Sequence, residues 1–184
     1  MPDSTIRLRR HRTDDLTAGD VDTVRKLLRT AFAGDGEGFT DADWDHAVGG
    51  LHVLCEVDGL VVAHAALVER ELHVGGRPIL TGYVEAVATD VRRQGQGLGS
   101  LVMTEIGSAI GDRFALGALS TDRTTFYARL GWQQWTGPTS VRTGAGPVRT
   151  PDDDGGIMIL LTPTSPDLDP NEPISCDWRT GDVW

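Results

Sequence analysis

The stretch VEAVATDVRRQGQGLG (84–99) constrains this chain more than any other. An apolar run carrying one acid, Glu85, passes into Arg92 and Arg93 and then into glycines at 95, 97 and 99. Beyond them Leu98, Leu101, Val102, Ile106, Ala109 and Ile110 recur at helical spacing. A strand, a glycine loop and a helix in that order leave several backbone N–H groups unpaired where the helix dipole is positive. Glycines remove side chains that would block a phosphate, and an arginine can pair with one. The loop therefore reads as a pyrophosphate cradle. A P-loop is excluded, because no Gly-Lys-Ser/Thr follows. A dinucleotide fingerprint is excluded too: the spacing is G-x-G-x-G, and the approach is not a βαβ unit.

The flanking sequence supports that order. IRLRRH (6–11) alternates as an edge strand, and DVDTVRKLLRTAF (20–32) places Val21, Val24, Leu27, Leu28, Ala31 and Phe32 on one helix face. Glycines at 34, 36 and 38 break the helix, and Thr40 with Asp43 starts a short second one. Residues 51–70 read as two strands about Asp58-Gly59, and Gly75-Gly76 turns the chain into a third strand over 77–89. FALGAL (114–119) suits a buried strand, and TTFYARL (124–130) is a helix stopped by Gly131. QQW and GIMILL read as closing strands, and prolines at 163, 166, 170 and 173 make the tail extended and irregular. The expected fold is α/β: a mixed, mainly antiparallel central sheet flanked by helices. One domain over 1–184 ends in an extended tail, 163–184.

Charge narrows the partners. The formal net charge is -10, which argues against nucleic acid and for a cationic or neutral ligand. The acid is uneven. Asp35, Glu37, Asp41, Asp43 and Asp45 crowd one segment without a Lys or Arg, and from Pro151 onward Arg179 stands alone against many acids. Cys55 and Cys176 lie far apart with no metal-ligand spacing, so neither a disulfide frame nor a metal site is expected. The histidines at 11, 46, 52, 64 and 73 form no triad and receive no chemistry. No apolar run is long enough to span a membrane, and the charged start lacks a signal-peptide core, so a cytoplasmic protein is expected.

At R-x-x-G-x-G, carried by Arg92, Gly95 and Gly97 after a meander and before an amphipathic helix, the chain resembles the GNAT acetyltransferase superfamily. GYVEAVAT (82–89), LGALS (116–120), the segment from GPTS (137–140) to TPDDDG (150–155) and CDWRTGDVW (176–184) resemble the aminoglycoside 2'-N-acetyltransferases. The resemblance implies a GNAT fold, acetyl-CoA as co-substrate, a polycationic amino-sugar as acceptor and a homodimer.

It also implies roles. Val87 and Ala88 would offer backbone groups to the cofactor arm. Arg92, Arg93, Gln94, Gly95, Gln96, Gly97, Leu98 and Gly99 would hold its pyrophosphate, with the choice between the two arginines open. Glu85 would serve as base and also touch the acceptor. Tyr127 would be the acid, although a tyrosine beside Phe126 and Trp132 equally reads as core. Asp35, Ser120, Asp153, Asp182 and Trp184, the last through its carboxylate, would bind the acceptor. Two other readings stay open: a GNAT enzyme for another cationic amine, and a CoA- or drug-binding module without catalysis.

Overall fold

The computed structural model describes residues 5–34, 36 and 38–184. The backbone falls into two compact units. One runs through Val68 and takes up the chain again over Val84–Ile106; the other comprises Glu69–Tyr83 and Gly107–Trp184.

In the first unit, β1 (Ile6–Arg12) pairs antiparallel with β2 (Leu51–Val57), which pairs antiparallel with the first part of β3 (Leu60–Val74). The β2–β3 turn is Asp58-Gly59, both left-handed at φ 53 and 80, as an Asp-Gly hairpin requires. The hairpin register slips between Cys55 and Glu56. Two helices precede β2: α1 (Ala18–Ala31) and α2 (Asp41–Ala47). Both begin with a reciprocal capping box, Thr17 with Asp20 and Thr40 with Asp43. Val24, Leu27 and Leu28 of α1 and Trp44 of α2 bury against Leu54 and Ala88, with Val21, Ala31 and Phe32 at the margin. The expected apolar face of α1 is therefore its buried face.

In the second unit β4 (Arg77–Thr89) pairs in parallel with β5 (Leu116–Ser120) over Thr81–Tyr83. β5 pairs antiparallel with β9 (Ile157–Leu161), and β9 with β6 (Gln133–Gln134). The end of β3 pairs with β10 (Ile174–Asp177), which runs parallel to β7 (Thr139–Thr143), itself antiparallel to β8 (Gly146–Arg149). The result is a mixed, mainly antiparallel sheet, as expected. The β7–β8 hairpin and β10 were not expected. Strand β10 enters the sheet directly after Pro173, because the tail's four prolines all precede it.

Helix α3 (Leu98–Arg113) contributes to both units, and α4 (Thr124–Ala128) is a single turn. Leu98, Val102, Ile106, Ala109 and Ile110 of α3 are buried, but Leu101 is exposed and Met103 takes the inward position. A Cβ at Gly117 of β5 would stand 2.9 Å from Ile110, so this glycine lets the helix lie close on the strand. Among the described residues no helix is long and apolar enough to cross a membrane.

Candidate active site

The glycine loop is built from its approach. The Asp90 amide donates to the Val62 carbonyl at 2.8 Å, tying the end of β4 to β3. The Asp90 side chain accepts from the Arg92 amide at 2.9 Å and grips the Arg92 guanidinium with both oxygens, at 3.1 and 2.8 Å. That hydrogen-bonded pair pulls the Asp90 carboxyl down to about 2. Arg92 is thereby engaged locally. Arg93 is half-buried, and its side chain makes no hydrogen bond or ion pair among the described residues. Gly95 and Gly97 are left-handed at φ 77 and 80, which a residue with a Cβ adopts only with strain. Gln94, Gly95, Gln96 and Gly97 are exposed, and a Cβ on either glycine would stand in open space. The Leu101 amide donates to the Gly97 carbonyl, so α3 starts there, with the amides of Leu98, Gly99 and Ser100 in its unpaired first turn. This geometry fits a phosphate chain laid over exposed backbone.

Just upstream, β4 is broken by Ala86, left-handed at φ 52. Among the described non-glycine residues only Asp58, in its hairpin turn, shares that conformation. A left-handed residue inside a strand interrupts the regular alternation and re-aims its neighbours. Here those neighbours are Glu85 and Val87, both half-buried, while Ala88 is buried in the core beneath α1. Glu85, Val87 and Ala88, the three residues singled out from sequence on this strand, thus sit on one distorted stretch around Ala86.

In the second unit, Tyr127 is buried on α4, edge-on to Phe126 at 4.9 Å and to Trp132 at 6.1 Å. The ring packs as core, as one of its two readings expects, and burial pushes the hydroxyl up to about 12, so it carries its proton at neutral pH. Ser120 is the exposed last residue of β5.

The acids of PDDDG divide into two kinds. Asp154 accepts from Thr139 at 2.8 Å and pairs with Arg149 at 2.7 Å, which holds its carboxyl far below the usual range. Its role is structural. Asp153 carries no ion pair among the described residues, and its pKa is raised by burial first and then by Asp182, Asp152 and Asp154. Around Thr150 the tail folds back on this turn. The Trp184 indole donates to the Thr150 hydroxyl at 3.0 Å, and the Trp184 amide donates to Asp182 at 3.2 Å. Arg70 donates to the Val183 carbonyl at 2.8 Å, and Arg179 to the Asp182 carbonyl at 2.7 Å and the Trp184 backbone oxygen at 3.3 Å. Asp153, Asp182 and Trp184 therefore meet in one corner, although some thirty residues separate them in sequence. Sequence reading missed the clasping arginines; their only signal was being the isolated cations of acidic or apolar segments. Asp35 lies outside the described residues.

Comparison with known proteins agrees with these features. Residues 12–135 match the model of an acetyltransferase (GNAT) domain. The chain is 43% identical over 176 residues to an aminoglycoside 2'-N-acetyltransferase of Mycolicibacterium fortuitum, covering 94% of this chain and 89% of that one. Among solved structures, a GNAT family acetyltransferase from Brucella melitensis in complex with acetyl-CoA superposes with a TM-score of 0.60 at 19% identity, covering 90% of this chain and 92% of the other. A GCN5-related N-acetyltransferase from Kribbella flavida gives a TM-score of 0.59 at 25% identity over 73% of this chain, which spans only 34% of that longer protein. On the family match across two thirds of its length and the relative matched across nearly all of it, this chain belongs to the GNAT acetyltransferases.

Proposed function

We propose that the protein transfers an acetyl group from acetyl-CoA to the 2'-amino group of an aminoglycoside. The observation that carries this reading is the corner at Thr150, where burial and the nearby Asp182 charge both oppose the ionisation of Asp153. Such a pair gains most from a ligand that brings several ammonium groups. The 43% identical relative bears the name of that activity and is matched over 94% of this chain.

The chain's own groups divide the reaction among them. Glu85 takes a proton from the acceptor ammonium, directly or through water, and frees its nitrogen lone pair to attack the thioester carbonyl carbon. The Val87 amide donates to the carbonyl oxygen as negative charge gathers there. The carbon–sulfur bond breaks as the carbon–nitrogen bond is completed, and Tyr127 gives its proton to the departing sulfur. The backbone amides of 94–99 and the Arg93 side chain hold the pyrophosphate, while Val87 and Ala88 present backbone to the cofactor arm. Ser120, Asp153, Asp182 and Trp184 bind the amino-sugar; Asp35 joins them on the resemblance alone. The resemblance also supports a cytoplasmic homodimer.

The test is release of free CoA from acetyl-CoA with tobramycin or gentamicin, set against kanamycin A, which carries a hydroxyl at the 2' position. Release with the 2'-amino drugs alone is expected. Equal release with kanamycin A would overturn the regiochemistry, and silence with all three would overturn the acceptor.

A further inference from the structure

Two histidines that sequence reading left without a role are wholly buried and joined in one hydrogen-bonded line behind the distorted part of β4. His64 Nδ1 lies 2.8 Å from the Ala86 carbonyl. His64 Nε2 lies 3.0 Å from His52 Nδ1, and His52 Nε2 lies 2.9 Å from the Thr13 hydroxyl. The Thr13 hydroxyl accepts from the Gly49 amide at 2.8 Å. These contacts fix the direction of every proton. A carbonyl can only accept, so His64 carries its hydrogen on Nδ1. Its Nε2 must then accept, so His52 also carries its hydrogen on Nδ1. His52 Nε2 accepts in turn, and the Thr13 hydroxyl, which also lies 3.4 Å from the Gly50 carbonyl, donates to it over the shorter 2.9 Å contact. All the donors point one way, from the α2–β2 connection to the carbonyl of the strained residue.

We infer that His64, set by His52 and Thr13, is a positioning residue that holds Ala86 in its left-handed conformation and so aims Glu85 and the Val87 amide. The inference rests on the proposed roles of those two groups. A left-handed alanine persists only where its surroundings over-determine it, and here the fixed donor on its carbonyl supplies that constraint. Burial supports the arrangement, because it keeps both imidazoles uncharged: His52 is pushed down to about 4 and His64 to about 3. A protonated His64 would have no acceptor for His52. No proton need move along the line during turnover; its work is orientation.

The first readout does not depend on activity. Nitrogen-15 spectra of the imidazoles are expected to show both rings neutral at pH 7 with the hydrogen on Nδ1, the less favoured tautomer of a free imidazole. Hydrogen on Nε2 of His64 would overturn the inference. The second readout is kinetic. His64→Leu removes the donor and is expected to lower kcat by about tenfold or more while KM for acetyl-CoA changes about twofold at most. His64→Asn places an amide N–H near the lost Nδ1 and is expected to return kcat to within about threefold of the parent. A folded His64→Leu with unchanged kcat, or an Asn variant no better than Leu, would overturn the inference. Should the Leu variant not fold, Thr13→Val decides: it must spread the tautomers of His52 and His64, and unaltered spectra would count against the line. If the unaltered protein acetylates nothing, the proposed function fails, while the tautomer readout still decides whether the line exists.

Discussion

Tyr127 and Glu85 are asked to handle protons in opposite senses, and for Tyr127 the surroundings already fit the task. Burial raises its hydroxyl from 10.0 to about 12, so it stays protonated across the working range and keeps a hydrogen to donate toward the sulfur as negative charge gathers there. With Tyr127→Phe, the ring remains between Phe126 and Trp132, so melting should move little while kcat falls. In the parent enzyme no loss of kcat attributable to this hydroxyl should appear near pH 10, where an ordinary tyrosine ionises. Glu85→Gln should lower kcat about 100-fold or more with the drug dissociation constant nearly kept. Calorimetry showing an equal loss in binding would make Glu85 a binding residue instead.

The strand–loop–helix element uses its two arginines differently. Asp90 holds Arg92 with both oxygens and, through its amide, is itself tied to β3, so Arg92 shapes the loop. Arg93 makes no side-chain ion pair among the described residues, so in the proposed cradle it is the arginine assigned to the pyrophosphate. Arg93→Ala should therefore raise KM for acetyl-CoA several-fold more than Arg92→Ala, with a shallower dependence on salt. Equal effects would sink the distinction. Gly97→Ala should cost about 1 kcal/mol of stability through its φ of 80 and raise the same KM, since the cradle would have to re-form around it. The R-x-x-G-x-G spacing made this element legible from sequence. The division of labour was not, because it depends on which arginine a neighbouring carboxylate takes.

Over the whole molecule, the buried histidines make stability depend on mildly acidic pH. Each has a folded value far below its ordinary 6.5, so below pH 6.5 the unfolded chain binds more protons than the folded one. Unfolding free energy should be level above pH 6.5 and then fall by roughly 1.4 kcal/mol per pH unit for each histidine until the folded values are reached. Asp20, held down to about 2 by Thr17 and Arg9, adds a second decline only below its ordinary value of 3.8. Urea unfolding from pH 7.5 to 4.5 measures the first decline, and a doubly substituted His52→Gln, His64→Asn chain should lack it. A flat parent curve over that range would mean the imidazoles are not buried and neutral.

The sequence by itself determined the order of elements, the Asp58-Gly59 hairpin, the apolar face of α1, the glycine loop and the family. Each of these is a local matter of backbone preference, periodicity or spacing, or a likeness carried by short motifs. Tertiary structure decided what depends on a partner far along the chain. In an unbroken two-residue hairpin His64 would stand opposite Val53, on the other side of the sheet from His52. The slip between Cys55 and Glu56 sets it opposite Leu54 instead, on the same side as His52, and only then can the two rings meet. Asp153 and Asp154 are adjacent and chemically identical, yet Arg149 and Thr139 claim one, while burial and Asp182 bear on the other. A register shift of one residue, and the sum of charges around a carboxylate, are properties of the folded chain and leave no mark in the local pattern.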